Sequence, residues 1–430
     1  MLPDAKMIRG HTSPAMSVGP EPNWRHIKTF VLVAECGSIS RAARKLARAQ
    51  SAVTRSVIEL EIELGVTLFE RRAAGMELTI FGQILLRRAL RAAQEFATAG
   101  REIGKLGLAG VRQEDPIFVM QVGGRRLSAL VAMTELQHMS EAAKSLGVSQ
   151  PAVSAAIREI ESRLGARLFD RTPRGMVPTA TALILARHAK LARTEIVHAA
   201  EEMASLRGVV HGHVRVGVMA LSRAAVVLPR ATARLQRDNP GITVSVTEGA
   251  FYTQELALRS GDLDFVVGAL RAFPADSDLD VEALFADSLS VVVRPQHPLM
   301  ARRKLRLKNL VGWNWILNRS GTPGRDRLED IFRAQSLPAP IVSVQTGSLA
   351  MTRALLLESD CLTALSAQQV EPDIGAGLLA VLPIELIETT RTIGIIRRKG
   401  TVFSPAAIRL AAELRKVVAE IARAPTPHSR

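Results

Sequence analysis

Cysteine is almost missing: Cys36 and Cys361 are the only two in 430 residues, and they stand far apart in the chain. That excludes a disulfide framework and any zinc-type cysteine spacing, and it suits a reducing cytosol. Aromatics make up 4% of the chain, which argues against proteins that grip single strands by stacking bases. Long apolar runs are lacking as well. The first twenty residues hold no core of signal-peptide type, and no later stretch approaches the ~18 uninterrupted apolar residues of a membrane span. The expectation is a cytoplasmic protein with no membrane partner. Also missing is any strong nucleophile–base pair or metal-ligand spacing, so neither an enzyme nor a cofactor or metal is expected. His297 beside Pro298 and Cys361 after Asp360 read as structural.

What is present is positive charge. The formal net charge is +15, which favours a polyanionic partner, although an arginine-rich composition is a second source of it. The basic run over 301–308 reads as solvated surface. The apolar fraction of 47% is that of packed globular domains, and the length suits about three of them.

Residues 25–106 repeat as 125–206 without a gap. Ile39-Ser40-Arg41-Ala42-Ala43 answers Met139-Ser140-Glu141-Ala142-Ala143, and Leu64-Gly65-Val66-Thr67-Leu68-Phe69 answers Leu164-Gly165-Ala166-Arg167-Leu168-Phe169. Between 40 and 89 about twenty of fifty aligned positions are identical, which marks a duplicated module.

Each copy reads as three helices and a hairpin. In copy one, Ile27, Phe30, Val31 and Val33 form a helical stripe ending near Cys36-Gly37. Ser40 is expected to cap a short helix to Leu46, and Ser51 to Leu64 forms a third helix closed by Gly65. Copy two sharpens the turn: Gly147 supplies a left-handed residue, Ser149 a cap, and Pro151 sits in the first helical turn where its missing N–H costs nothing. A short helix, a tight turn and a second helix form a helix-turn-helix. Strands around Gly75-Met76 and Gly175-Met176 add a wing. Such units read the major groove near the start of the second helix, where the candidates are Gln50, Ser51, Thr54 and Arg55 in copy one and Gln150, Pro151 and Ser154 in copy two. Glutamine suits adenine edges and arginine guanine edges. Arg71, Arg72, Arg171 and Arg174 on the wings suit phosphates or the minor groove.

These modules resemble the N-terminal domain of LysR-type transcriptional regulators. Copy two carries Ser149-Gln150-Pro151-Ala152-Val153-Ser154 intact, whereas copy one has Ala49-Gln50-Ser51-Ala52-Val53-Thr54 but keeps Leu60-Glu61, Phe69-Glu70-Arg71 and Leu78-Thr79. The family normally has one such domain per chain, so the tandem is a departure. Behind each wing a seam repeats in one phase: Leu85, Ala89, Ala92, Phe96, Ala99, Ile103 and Leu106, then Leu185, Ala189, Ala192, Ile196, Ala199, Met203 and Leu206. The resemblance implies an antiparallel pairing of such helices between two chains. Here the mate is available in the same chain, because the ~16-residue connector spans up to ~50 Å, and an intramolecular pair of readers is expected.

From His213 the pattern becomes βα alternation, which argues for a parallel-sheet α/β region with ligand at the strand carboxyl ends. Asn239-Pro240-Gly241, Gly261-Asp262-Leu263-Asp264, Arg294-Pro295-Gln296-His297-Pro298-Leu299 and Ser404-Pro405-Ala406-Ala407 resemble the effector domain of the same family. That implies two lobes of periplasmic-binding-protein type, 212–288 with 388–424 and 289–387 between. Loops that follow strands and open helices offer Ser222, Arg223, Ser320, Thr322, Thr346 and Ser348 to an anionic or hydroxylated ligand, although a serine or threonine there serves equally as a plain helix cap. The expected fold is therefore multidomain: winged helix-turn-helix 22–80 with linker helix 81–107, connector 108–121, winged helix-turn-helix 122–180 with linker helix 181–208, and a two-lobed α/β domain 212–424 behind a flexible arm 1–21. The expected function is a DNA-binding regulator, a homo-oligomer partnered by double-stranded DNA and a small-molecule effector, a sugar or small organic acid. An enzyme lacks its chemistry here, and a purely architectural DNA binder would not need the C-terminal half.

Overall fold

The computed structural model describes residues 22–72, 75–107, 120, 123–173, 175–302 and 304–423. They fall into two units, one running through Arg207 and the other starting at Gly208. The expected N-terminal arm, nearly all of the connector and Arg174 of the second wing lie outside the described residues. No helix among the described residues is long and apolar enough to cross a membrane.

The first unit is built twice. Helices α1 (Trp24–Cys36), α2 (Ile39–Lys45) and α3 (Gln50–Leu64), strands β1 (Phe69–Arg72) and β2 (Gly75–Leu78), and helix α4 (Ile80–Gly104) are followed by α5 (Gly124–Leu136), α6 (Met139–Ser145), α7 (Gln150–Leu164), β3 (Phe169–Thr172), β4 (Gly175–Pro178) and α8 (Ala180–Leu206). The cores match position for position. Phe30, Val33, Val53, Val57, Leu60, Leu68 and Leu85 are buried in one copy, and Leu130, Met133, Val153, Ile157, Ile160, Leu168 and Leu185 in the other.

Local chemistry corrects two expected caps. Gly37 at φ 59° ends α1, so Ser38 is the first extended residue and its hydroxyl accepts the Arg41 N–H at 3.4 Å; Ser40 lies inside α2. Ser149 occupies the cap position of α7, with Pro151 in its first turn, but makes no side-chain cap bond. The turn before α3 is less relaxed than its copy. Ala47 adopts φ 50° where Gly147 adopts 64°, and only glycine takes that conformation without a steric cost. The wing tip leans on the helices as well: Met76 N–H donates to Gly37 O and Met176 N–H to Gln137 O.

The second unit holds a five-stranded sheet, a three-stranded sheet and a separate strand pair. Strands β5 (Gly212–Met219), β6 (Ile242–Gly249), β7 (Phe265–Ala269) and β8 (Leu279–Asp287) alternate with helices α9 (Ala224–Asp238) and α10 (Phe251–Arg259). Then come β9 (Ser290–Val293), β10 (Asn314–Leu317), α11 (Pro323–Ala334), β11 (Ile341–Gln345), α12 (Leu349–Glu358), β12 (Thr363–Leu365), α13 (Glu371–Gly375) and β13 (Ala380–Val381). β14 (Arg391–Arg398) returns to the first sheet and α14 (Pro405–Arg423) covers it. The first sheet runs β6-β5-β7-β14-β8. The sheets are not all parallel as expected: the five-stranded one is mixed, since β14 is antiparallel to both neighbours. The three-stranded one is antiparallel, with β9 between β12 and β13, and β10–β11 is parallel. Charged residues interrupt the apolar pattern of β8 and hide the strand in the sequence. In the fold Glu282 receives a bidentate pair of hydrogen bonds from Arg415 of α14 at 2.6 and 2.8 Å, which holds its carboxyl below the usual range and raises the guanidinium.

Candidate nucleic-acid interface and interlobe cleft

The reading face is set by which helix positions the core leaves out. With Val53, Val57 and Leu60 buried, Gln50, Ser51 and Arg55 face outward, and so do Arg71 and Arg72 on the wing. Thr54 is half-buried and its hydroxyl donates to Gln50 O at 3.0 Å. Arg55 Nε donates to Glu59 Oε1 at 2.8 Å, one helical turn away, so its guanidinium is held along the helix surface. Glu59 also faces His26 at 3.3 Å; burial pushes that imidazole down, Glu59 pulls it up and Arg48 pushes it down again. Arg72 lies between Glu70 and Glu77, at 3.3 and 3.2 Å. In copy two Gln150, Pro151 and Arg171 are exposed and Ser154 is half-buried. Burial alone would raise the Glu159 carboxyl, but hydrogen bonds from Arg163 and Arg126 hold it below its ordinary value.

The acidic residue of the Leu-Glu pair has a structural job. Glu61 Oε1 accepts Leu68 N–H at 2.7 Å and Phe69 N–H at 3.3 Å, and Glu161 accepts Leu168 N–H at 2.8 Å. It thereby pins the wing to the recognition helix. Thr79 and Thr179 then cap the linker helices, each accepting a backbone N–H three residues on.

Linker helices α4 and α8 pack against each other, antiparallel, within the unit. Every seam residue from Leu85 to Ile103 and from Leu185 to Met203 is buried, whereas Leu106 and Leu206 fall outside the packed stretch and are exposed. Flanking the seam is an ionic network with a local two-fold. Arg88 donates from Nη1 to Glu195 Oε2 and from Nε to Glu202 Oε1, both at 2.8 Å, and Arg87 also pairs with Glu202. On the other side His188 Nδ1 lies 2.7 Å from Glu95 and Nε2 3.5 Å from Glu102, and Arg187 pairs with Glu102. The same four positions recur one hundred residues apart, with Arg88 exchanged for His188. Arg88 is fully buried, so its charge is neutralised by these glutamates and not by water.

In the second unit the loops after β5, β10 and β11 come together. Ser222 is buried and its hydroxyl accepts Ala224 N–H at 3.3 Å; Thr346 accepts Ser348 N–H at 3.1 Å, and Ser348 caps α12 through Met351 N–H at 3.2 Å. Ser320 is exposed, and the Thr322 hydroxyl closes its own turn on Arg319 O at 2.8 Å. Most of the hydroxyls picked out by sequence thus stabilise loops. Arg223 lies over the Phe285 ring at 5.1 Å, and Arg325 is taken up by Glu329 and Asn318 O. The loops themselves do meet: a Cβ on Gly347 would sit 3.4 Å from the Ala220 Cβ.

Sequence reasoning missed two arginines there. Arg271, just beyond β7, stacks on Phe251 at 4.3 Å and donates from Nη1 to Gly321 O at 3.1 Å, while its buried Nε has no hydrogen-bond partner. Burial pushes its guanidinium below its ordinary value, against the pull of Asp326 and Glu255. Arg391, on the returning strand, pairs at 3.2 Å with buried Asp287, whose Oδ1 has no partner. It also reaches Gly324 in the first turn of α11, where a Cβ would meet Nη1 at 2.6 Å. No local motif signals either residue, because both reach the start of α11 only through sheet order.

Among the described residues no cluster could hold a metal ion. The family model described as the bacterial regulatory helix-turn-helix protein, lysR family, matches residues 24–83 and again 125–183, and the LysR substrate binding domain matches 207–419. The chain is 40% identical over 399 residues to the HTH-type transcriptional regulator GalR of Pseudomonas putida, covering 93% of this chain and 98% of that one. It is 30% identical over 292 residues to GbpR of Azospirillum brasilense, covering 68% and 85%. An alignment of 399 residues has room for both modules; one of 292 has room for a single module and the C-terminal half. Among solved structures, a full-length OxyR variant from Pseudomonas aeruginosa matches with TM-score 0.52 at 22% identity, over 67% of this chain and 93% of that one, a likeness of fold.

Proposed function

The chain belongs to the LysR-type transcriptional regulators, and on that footing we propose that its two readers act as one DNA-reading pair supplied by a single chain, controlled by a small organic acid bound between the C-terminal lobes. Regulators of this type bind double-stranded DNA, take small-molecule effectors and form oligomers; this chain is one of them and not an enzyme.

The observation that carries the pairing is the two-fold ionic network. Arg88 meets Glu195 and Glu202, and His188 meets Glu95 and Glu102, only when α4 and α8 run antiparallel in this register. A slip of one turn would leave fully buried Arg88 without a counter-charge, at a cost of about 3–5 kcal/mol. Tethering raises the local concentration of the mate, so intrachain pairing outcompetes pairing between free chains. Both readers then take part in DNA binding: Gln50, Ser51, Thr54, Arg55, Arg71 and Arg72 from one, Gln150, Pro151, Ser154, Arg171 and Arg174 from the other.

An Arg87→Lys chain tests this, because the new amine keeps the pairing with Glu202 and couples to it under a carbodiimide. In a mixture of light- and heavy-isotope protein the coupled peptides are expected to be all light or all heavy. Mixed light–heavy peptides at the statistical proportion would place the mate in another chain.

For the effector, the support is the chemistry of the cleft. Arg271 offers an unpartnered N–H there, and Arg391 sits against the first turn of α11, whose free N–H groups also favour an anion. Ser222, Arg223, Ser320, Thr322, Thr346 and Ser348 shape the loops around it. A carboxylate satisfies these donors better than a neutral sugar. Thermal-shift screening of carboxylic acids against neutral sugars distinguishes the two, with the response expected to vanish in Arg271→Ala; a sugar that stabilises both proteins equally would rule the acid out.

A further inference from the structure

The two readers share a core but not a reading face. From position 39 to 58, Arg41, Arg44, Lys45, Arg48 and Arg55 are all exposed, with no acidic residue among them, a net +5. The matching positions 139 to 158 carry Glu141, Lys144 and Arg158, all exposed, a net +1. The next residue is a glutamate in both copies. Whole modules are balanced: 24–79 holds nine basic and six acidic residues and 124–179 eight and five, a net +3 each. What differs is placement. Copy one concentrates its positive charge on the helix-turn-helix and five of its six acidic residues on the far end of α3 and the wing, and on the wing Glu70 and Glu77 occupy Arg72.

The side chains at the candidate base-reading positions differ too. At the sixth residue of the recognition helix one copy has Arg55, its side chain 82% exposed and laid along the helix by Glu59, and the other has Ala155. At the second residue, Ser51 faces Pro151, and proline has neither an N–H nor a polar side chain to offer. Just before the helix, exposed Arg48 faces exposed Val148.

We propose that the chain binds DNA in one orientation on a site with two unequal halves: reader one is the electrostatic anchor and takes guanine through Arg55, and reader two contributes base discrimination through Gln150 with few phosphate contacts. The reasoning is physical. Phosphate contacts supply sequence-independent affinity, and each releases condensed counterions. Base-edge contacts supply the choice of sequence. A two-fold pair of identical readers demands a palindrome, because equal surfaces meet equal half-sites. Here the pairing helices preserve the two-fold while the reading faces break it, so reversing the chain on its site puts a basic face where the DNA offers reader two's contacts. This inference rests on the pairing of α4 with α8 proposed above.

The experiment selects binding sites from a library of random-core duplexes with the full-length protein, then measures binding and its salt dependence on the selected duplex. The expected consensus has two half-sites of different sequence. Arg55→Ala is expected to relax base preference at one half only, by about 5- to 150-fold for one bidentate contact. Replacing Arg44, Lys45 and Arg48 together by glutamine is expected to lower the slope of log affinity against log salt by up to about 3, given ~0.9 per phosphate contact, whereas Lys144→Gln lowers it by no more than about 1. A palindromic consensus in which Arg55→Ala weakens both halves equally would overturn the proposal. The isotope-mixed coupling of the Arg87→Lys chain assigns that result. Coupling within one chain alongside a palindrome sinks the asymmetry alone, and coupling between chains sinks the pairing on which it rests.

Discussion

Replacing Arg88 by alanine removes the centre of the linker-helix network. The guanidinium is fully buried and faces Glu195 and Glu202, which are 7% and 15% exposed. Removing one member of a buried ion pair costs about 3–5 kcal/mol, because the charge left behind has lost its counter-charge. Here the penalty is reduced, since Glu195 keeps Arg91 at 3.1 Å and Glu202 keeps Arg87. A loss of about 2–3 kcal/mol is therefore expected, equal to roughly a 30- to 150-fold fall in protection. Amide hydrogen exchange read by mass spectrometry on peptides from 80–104 and 180–206 of the full chain measures it, and both helices must lose protection together. The loss should be independent of protein concentration. If protection in α4 and α8 is unchanged, or recovers as the protein is concentrated, the intrachain network does not hold the pair together.

Three further outcomes follow from the same geometry. Ala47→Gly should stabilise reader one by about 0.5–1 kcal/mol, since it relieves a left-handed alanine, and a higher urea midpoint would show it. Glu61→Ala strips the acceptor from Leu68 and Phe69 N–H and should cost about 1–2 kcal/mol, seen as faster exchange in 66–78 with the C-terminal unit unaffected. His297 should make the C-terminal unit acid-sensitive. Its Nδ1 accepts Leu299 N–H at 3.1 Å, so the ring proton sits on Nε2 and is donated to Asp360 O at 3.1 Å. Burial lowers its pKa despite that carbonyl and the Asp360 charge, so the unfolded chain binds the proton more readily. Stability is complete above the unfolded value near 6.5 and declines below it, by no more than about 1.4 kcal/mol per pH unit. The melting temperature of this unit should fall between pH 7.5 and 5.5, and His297→Asn, which retains an acceptor for Leu299, should flatten the dependence.

Sequence by itself determined the modules. A helix-turn-helix is made of local signals, namely apolar residues at helical spacing, a left-handed Gly37, Gly65 or Gly147, and a proline in a first turn, and these act within a few residues of one another. Duplication made each signal legible twice, which is how Gln50 and Gln150, and the common seam of α4 and α8, stood out without coordinates. The strands β5 and β7 were legible for a similar reason, since buried apolar runs rich in β-branched residues need no partner to be recognised.

Only the tertiary structure decided the rest. That Arg88 meets Glu195 and Glu202, and His188 meets Glu95 and Glu102, depends on antiparallel packing across more than eighty residues of chain. That Arg271 and Arg391 both reach the segment opening α11 depends on β14 returning beside β7. Strand β8 shows the principle most plainly: Glu282 spoils its apolar pattern until Arg415, from a helix 133 residues later, neutralises it. Helix periodicity and turn residues are local physics and survive in a string of letters. Counter-charges and orphaned donors belong to pairs that only the fold brings together.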